Sequence, residues 1–287
     1  MRIANVGGRA KLIVADGLAV DVAEASGGRF APDLPEIYSR WAEFRSWADS
    51  FAPDQEGGPA APEPFSPSLA GPPSPSPRQV FAVALNYRDH AAESGFKAPE
   101  DPLFFTKFVS AFSGPITEVV LPEGRVDWEC ELVAVISRAA RRVDEADGWS
   151  YVAGLTVGQD ISERALQRSG PAPQYSLAKS YPGFAPTGPV LVTPDEFDDP
   201  DDLAIGCEVN DATMQSARTS DMIFPVSGLI AYLSARVTLF PGDVIFTGTP
   251  PGVGMGRDPQ VFLSPGDRLR SHIEGIGELQ QTFRAGS

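Results

Sequence analysis

The segment that most constrains this chain runs from Val126 to Ile136 and reads Val-Asp-Trp-Glu-Cys-Glu-Leu-Val-Ala-Val-Ile. Its second half is a run of apolar residues of strand length, which predicts a strand that enters the core. Its first half alternates, so an extended backbone places Asp127, Glu129 and Glu131 on one face, roughly 7 Å apart. Carboxylates this close repel one another unless they are solvated, protonated or bridged by a cation.

Two interpretations of this acidic strand remain open from the residues alone. Three oxygen ligands favour a hard ion such as Mg²⁺, Mn²⁺ or Ca²⁺ over zinc. The alternative is a polar strand end at the rim of a sheet, because short acidic motifs often occur without a metal.

Composition limits the classes of protein to which the chain can belong. Its 287 residues suffice for one large domain or two modest ones, and 42% are hydrophobic. A net charge of −15 argues against binding to nucleic acids or to anionic membranes, both of which need a basic surface. The two cysteines indicate buried free thiols in a reducing compartment. No signal peptide or spanning segment is recognisable, so we expect a soluble, cytoplasmic protein.

The first 77 residues divide into two parts. Residues 1–51 predict a small α/β domain, with a hairpin that turns at Asp16-Gly17 and an amphipathic helix over 34–51. Residues 52–77 contain nine prolines and predict an extended linker with a short strand near Phe65. A partner-binding proline-rich motif is the alternative, but a linker is favoured because the segment joins two folded stretches. The main domain then covers residues 78–287.

A histidine and a carboxylate follow the first strand of the main domain. The strand at 80–85 leads into Asn-Tyr-Arg-Asp-His-Ala-Ala-Glu, in which His90 and Glu93 are three residues apart. On a helical turn this spacing brings the imidazole and the carboxylate within hydrogen-bonding distance. Such a pair is typical of a general base with its orienting partner, although an isolated histidine is more often a surface or capping residue.

Further polar groups stand at the ends of predicted strands or in loops. Asp160 ends a buried strand and is a candidate to join Glu129 and Glu131, and a short helix after it carries Arg164 and Gln167 one turn apart. Lys179 lies in an apolar loop, where it is either an anion-binding group or a surface residue. The loop over 247–254 is rich in Gly and Pro and offers backbone N–H groups to a carboxylate.

Taken together, these segments resemble the fumarylacetoacetate hydrolase family over about residues 80–280. Each motif is weak by itself, but seven in the expected order are specific. They are Asn86–Glu93, Asp127–Leu132, Asp160–Arg164, Ala178–Ser180, Thr219–Phe224, Pro241–Asp243 and Thr247–Pro250.

The resemblance implies a strand-rich α+β fold, in which a mixed β-roll forms the catalytic domain and follows the small N-terminal domain. It further implies a homodimer and a bound Mg²⁺ or Mn²⁺, with Glu129, Glu131 and Asp160 as the metal ligands. By the same resemblance, His90 and Glu93 activate water and Lys179 stabilises developing negative charge. The implied substrate contacts are Arg164, Gln167 and Thr249.

This family chemistry predicts metal-dependent hydrolysis of a C–C bond in an acylpyruvate or similar 1,3-diketo acid. Decarboxylation or keto–enol isomerisation of a 2-oxo dicarboxylate is the alternative, because it needs the same enolate chemistry without hydrolytic water. A member that has become a binding or structural protein is a third possibility. It predicts loss of the carboxylates or of Lys179, and the sequence retains them all.

Overall fold

The computed structural model describes residues 1–52 and 60–286. The strands within these residues, in chain order, are β1 (Arg2–Val6), β2 (Arg9–Ala15), β3 (Leu18–Asp21), β4 (Glu63–Pro64), β5 (Ala70–Gly71), β6 (Val80–Ala84), β7 (Leu103–Phe105), β8 (Phe112–Ser113), β9 (Ile116–Leu121), β10 (Val126–Asp127), β11 (Cys130–Ile136), β12 (Val152–Gln159), β13 (Ser162–Glu163), β14 (Ala185–Val192), β15 (Ala204–Val209), β16 (Ala212–Arg218), β17 (Val244–Phe246), β18 (Arg268–Ile273) and β19 (Gly277–Ala285).

The helices in the described part of the chain are short and lie between these strands. The α-helices are α1 (Val22–Ala25), α2 (Leu34–Ser39), α3 (Trp41–Ser50), α4 (Arg88–Glu93), α5 (Arg164–Gln167), α6 (Tyr175–Ala178) and α7 (Val226–Ser234). The 3₁₀ turns are Pro67–Leu69, Val109–Ala111, Glu145–Tyr151, Pro194–Glu196, Thr219–Asp221 and Gly254–Gly256. The balance confirms the predicted strand-rich α+β class.

Most strands belong to two sheets that pack on each other. The larger sheet has the order β4-β3-β2-β1-β14-β12-β11-β17-β6-β7, with β5 beside β1 and β8 beside β14. The smaller sheet has the order β16-β15-β18-β19-β9. Strands β11, β12 and β14 of the larger sheet contact β15, β18 and β19 of the smaller one, and every residue of those three larger-sheet strands is buried. The core therefore lies between the two sheets.

The acidic segment is interrupted, which differs from the continuous strand expected from its sequence. Strand β10 ends at Asp127 and β11 begins at Cys130, so Trp128 and Glu129 connect two strands that belong to different sheets. The two strands have different partners: β10 pairs with β13, whereas β11 pairs with β12 and β17. The expectation that Asp127 shares a face with Glu129 and Glu131 was wrong for this reason.

The N-terminal residues form the predicted hairpin, with β2 and β3 joined through Gly17 at φ 70°. The predicted helix over 34–51 is instead two helices, because Arg40 adopts a non-helical conformation between α2 and α3. Strand β1 pairs with β14 of the main domain as well as with β2. The proposed boundaries at residues 51 and 77 stay predictions, and residues 53–59 of the predicted linker lie outside the described residues.

Candidate active site

Three buried carboxylates meet where β11 begins and β12 ends. Glu129 and Glu131 flank Cys130 at the start of β11, while Asp160 directly follows β12. The antiparallel pairing of these strands brings the two ends together, and the backbone N–H of Asp160 donates to the carbonyl of Glu129 at 2.9 Å. One oxygen from each carboxylate lies within 4.8 Å of the others. The structure thus brings together the three predicted metal ligands.

Burial and mutual repulsion act on this carboxylate cluster. Burial, followed by the neighbouring charges of Asp160 and Glu129, raises the pKa of Glu131 well above its usual range. Burial also disfavours ionised Glu129, but the cations of Lys179 and Arg164 outweigh it and lower the pKa of that carboxyl. The three groups therefore differ in how well their charge is compensated, and Glu131 is the least compensated.

Two buried lysines hold the cluster from one side. The Nζ atom of Lys179 lies 2.7 Å from Oε2 of Glu129 and 2.5 Å from Oδ2 of Asp160. The Nζ atom of Lys107 donates to Oδ1 of Asp160 at 2.5 Å, to the carbonyl of Phe184 at 3.1 Å, and to the carbonyl of Lys179. Lys107 therefore supports both a carboxylate of the cluster and the backbone of the residue that carries the second cation.

The chemistry of the donor set fits a hard divalent cation. All three candidate ligands offer only carboxylate oxygens, and each carboxylate has about four lone-pair positions, more than the neighbouring lysines use. The pKa of Glu131 is raised by burial and then by repulsion from its neighbours, and a bound divalent cation would offset that repulsion. Glu129, Glu131 and Asp160 are thus suited to hold Mg²⁺ or Mn²⁺.

The predicted histidine–carboxylate pair forms on helix α4. Nδ1 of His90 lies 2.8 Å from Oε1 of Glu93. The two oxygens of Glu93 in turn accept from the backbone N–H of Gly252, at 3.0 and 2.9 Å. An ionised Glu93 requires the imidazole proton on Nδ1, which leaves the lone pair of Nε2 free to accept a proton.

Arg164 links the carboxylate cluster to a second buried acid. Its Nε and Nη2 atoms each lie 2.8 Å from Oδ2 of Asp127, and its Nη1 atom lies 2.7 Å from Oε1 of Glu129. Nη1 also donates to Oε1 of Gln167 at 3.0 Å. Helix α5, which carries both residues, begins after Glu163, whose side chain accepts from the N–H groups of Ala165 and Leu166. Asp127 therefore orients Arg164 rather than joining the cluster.

The loop over 247–254 binds three of the protein's own carboxylates through its backbone. Gly248 N–H donates to Glu131 at 2.8 Å, Gly252 N–H donates to Glu93, and Gly254 N–H donates to Asp127 at 2.7 Å. The predicted capacity of this loop to hold a carboxylate is confirmed, with side chains of this chain as the anions. The loop couples the histidine pair, the cluster and the arginine.

These groups surround one cavity of about 480 Å³, a size suited to a small molecule. The predicted residues that line it are His90, Glu129, Arg164, Gln167, Lys179 and Thr249. Glu93, Glu131 and Asp160 are not among the residues that line the cavity. Glu93 is hydrogen-bonded to His90, and Glu131 and Asp160 are buried. The hydroxyl of Thr249 donates to the carbonyl of Cys130 at 2.9 Å and accepts from Gln215 at 2.8 Å.

Sequence reasoning missed three contributors to this site. Lys107 has no assigned role in the sequence, although a lysine among phenylalanines at 104–108 is a signal of a buried, paired cation. Asp127 was grouped with the wrong carboxylates. Gly252 has a φ of 110°, and a Cβ atom there would lie 2.1 Å from the carbonyl oxygen of Met214, which no local pattern reveals.

Comparison with known proteins identifies one family. A family model described as the C-terminal domain of fumarylacetoacetate (FAA) hydrolase matches residues 79–284. The mitochondrial oxaloacetate tautomerase of Rattus norvegicus is 44% identical over 206 residues, which are 71% of this chain and 65% of that protein. The chain thus covers slightly less than two thirds of the length of this curated relative.

Solved structures match the whole chain. A protein of Mycobacterium smegmatis designated HpcE shares 55% identity with a TM-score of 0.93, and all of both chains is covered. The maleylpyruvate hydrolase of Sphingobium sp. SYK-6, solved with manganese(II) and pyruvate, shares 30% identity with a TM-score of 0.81, again over all of both chains.

The fold and the site define a class of enzymes whose named members include hydrolases, isomerases and tautomerases that act on small organic acids. The chain belongs to the fumarylacetoacetate hydrolase family. No helix in the part of the chain that the structure describes is long and apolar enough to cross a membrane.

Proposed function

We propose that this protein hydrolyses a C–C bond in an acylpyruvate-like 1,3-diketo acid, with Mg²⁺ or Mn²⁺ held by Glu129, Glu131 and Asp160. The observation that carries the proposal is the His90–Glu93 pair, which shares a cavity with Glu129. A general base beside a cation-binding cluster is the combination that hydrolysis through an enolate needs. The maleylpyruvate hydrolase with bound manganese supports the choice of reaction and of cation.

When bound, the cation supplies electrostatic stabilisation for the negative charge that develops on the 2-oxo acid oxygens. The side chains of Arg164, Gln167 and Thr249 line the cavity and orient the substrate there. Lys179, whose ammonium group lies against Glu129 and Asp160, stabilises the negative charge of the enolate.

His90 performs the proton transfers. Its Nε2 atom takes a proton from water while Glu93 holds the Nδ1 proton and stabilises the imidazolium. The water oxygen bonds to the distal carbonyl carbon, the C–C bond breaks, and its electron pair goes to the enolate of the 2-oxo acid. Protonation of that enolate carbon yields the 2-oxo acid beside the released carboxylic acid, so the atoms and protons balance.

Decarboxylation or keto–enol isomerisation of a 2-oxo dicarboxylate is the second candidate. It is favoured by the 44% identity to a protein named oxaloacetate tautomerase and by a structural match named 2-hydroxyhepta-2,4-diene-1,7-dioate isomerase. The same residues serve this chemistry without hydrolytic water. In isomerisation, His90 moves a proton between carbon and oxygen. In decarboxylation, the C–C bond to the distal carboxylate breaks, CO₂ leaves, and the electron pair forms an enolate whose carbon is then protonated.

Product analysis separates the two candidates. The protein is incubated with acetylpyruvate or with oxaloacetate, with and without Mg²⁺ or Mn²⁺. Metal-dependent release of acetate and pyruvate from acetylpyruvate supports hydrolysis. Release of pyruvate from oxaloacetate, or faster keto–enol conversion of oxaloacetate, without any acetate from acetylpyruvate, contradicts hydrolysis and favours the second candidate.

The predicted homodimer and the predicted cytoplasmic location are part of this proposal. The rat relative is named mitochondrial, which leaves the location of this chain a prediction. Light scattering on the purified protein tests the dimer, because a monomer mass at micromolar concentration contradicts it.

A further inference from the structure

Arg168 differs from the other cations that line the cavity. It follows helix α5 directly after Gln167, lines the cavity with His90 and Lys179, and is exposed. Arg164 and Lys179 are buried and paired with carboxylates. Among residues 1–52 and 60–286, no carboxylate lies within 4 Å of the Arg168 guanidinium. Arg168 is therefore available to an anion that enters from solvent.

The buried cations beside the cavity already have partners within the chain. Arg164 and Lys179, which line the cavity, are each paired with carboxylates of this chain. One carboxylate of the substrate can bind at the proposed cation site of Glu129, Glu131 and Asp160. A second carboxylate needs a cation of its own, because unpaired charge in a partly buried site is unfavourable.

The wall of the cavity leaves space for a hydrocarbon segment between two such carboxylates. Its apolar and aromatic lining residues include Phe96, Phe105, Pro173, Tyr175 and Met255. A carboxylate held at the cluster and another held at the exposed Arg168 would place the carbon chain against these side chains. The arginine fork is well suited to bind a carboxylate through two hydrogen bonds.

We propose that Arg168 is a specificity-determining residue that binds the distal carboxylate of a dicarboxylic 2-oxo acid. This inference rests on the proposed function, since it assigns the substrate class of the same cavity. It predicts that a substrate with a charged end is preferred over one that ends in a methyl group, and that Arg168 causes the preference.

Binding of two matched probes tests the inference without requiring turnover. 2-Oxoadipate and 2-oxohexanoate have the same chain length and the same 2-oxo acid end, and only 2-oxoadipate has a distal carboxylate. Calorimetry on the Mn²⁺-loaded protein is expected to show roughly tenfold tighter binding of 2-oxoadipate, the scale of one hydrogen bond to a charged group. Arg168→Gln should remove this preference and leave the affinity for 2-oxohexanoate unchanged, while Arg168→Lys should retain part of it.

Arg268→Gln is the matched control, because Arg268 is an exposed arginine on β18 that does not line the cavity. This control should keep the full preference. Equal binding of both probes by the unaltered protein overturns the inference, and so does a preference that survives Arg168→Gln. Equal weakening of both probes in Arg168→Gln also overturns it, because the residue would then act at the shared end.

Kinetics keeps this inference separate from the proposed function. Fumarylpyruvate and acetylpyruvate are both 1,3-diketo acids, and only fumarylpyruvate has a distal carboxylate. Cleavage of both with equal kcat/KM leaves hydrolysis in place and overturns the role of Arg168. If neither substrate is cleaved, the proposed hydrolysis is contradicted. The binding preference for 2-oxoadipate then still decides the role of Arg168.

Discussion

The backbone N–H of Gly252 lies 3.0 and 2.9 Å from the two carboxylate oxygens of Glu93. Glu93 therefore holds the ring of His90 and is itself held by a loop that also binds Glu131 and Asp127. The histidine and the carboxylate cluster come from distant parts of the chain, and this loop fixes one relative to the other.

Replacing Glu93 with Gln should slow hydrolysis without disturbing the cluster. The amide oxygen can still accept from Gly252, but the negative charge that stabilises the imidazolium is lost. We expect kcat to fall by about a hundredfold, which lies within the range of a positioned general base. Steady-state kinetics measures kcat, and Mn²⁺ titration checks that the cluster is undisturbed. Glu36→Gln on an exposed helix position is the control. Unchanged kcat would remove Glu93 from the mechanism.

Glu129→Gln should abolish both activity and Mn²⁺ binding. Alanine is the poorer test, because truncation would also leave a void and remove both oxygens that contact Lys179 and Arg164. Glutamine keeps the volume and one acceptor oxygen, so circular dichroism should show an intact fold. Mn²⁺ binding by calorimetry is the direct readout, and full affinity in this variant would show that the metal assignment is wrong.

Lys107→Met should weaken the site and the fold together. The variant leaves Asp160 with one cation instead of two and removes a hydrogen bond to the carbonyl of Lys179. Removing one partner of a buried ion pair costs roughly 3–5 kcal/mol of the free energy of unfolding. Loss of the support of a metal ligand lowers metal affinity by about 10–100-fold. Urea unfolding and Mn²⁺ titration test both effects, with exposed Lys97→Met as the control. A free energy of unfolding and an Mn²⁺ affinity equal to those of the unaltered protein would contradict the supporting role of Lys107.

The N-terminal hairpin should contribute an acid-sensitive part of the stability. Burial raises the pKa of Asp21, but hydrogen bonds from Arg9, Lys11 and the N–H of Glu24 outweigh it and lower that pKa to about 2 from 3.8. Because the folded-state pKa is depressed, this stabilisation is complete above pH 3.8 and is lost as pH falls towards 2. The free energy of unfolding between pH 5 and pH 2 should fall less steeply in Asp21→Asn. Identical pH profiles would contradict the ion pairing.

The sequence was sufficient for the features that depend on periodicity and short spacing. The apolar run of β11, the turn at Gly17 and the three-residue spacing of His90 and Glu93 are local, and the structure contains all three. The meeting of Asp160 with Glu129 could be anticipated because both stand at strand ends.

The remaining features depend on contacts between distant segments. Asp127 turns away from the cluster because Arg164 and the N–H groups after Val253 are its partners, and these lie 37 and 127 residues further along the chain. Lys107 reaches Asp160 across 53 residues. Nothing in the local pattern shows which of several acids such a cation will meet, so the composition of the cluster could be predicted but its supporting contacts could not.

The most direct test of the account is acetate release from acetylpyruvate by the unaltered protein and by His90→Ala, both saturated with Mn²⁺. The unaltered protein should release acetate and pyruvate in equal amounts. His90→Ala should bind Mn²⁺ with unchanged affinity and release acetate about 10²–10⁴ times more slowly, the range of a general base. A full hydrolytic rate in His90→Ala would contradict water activation by this residue. Absence of acetate from the unaltered protein, with conversion of oxaloacetate, would contradict hydrolysis itself.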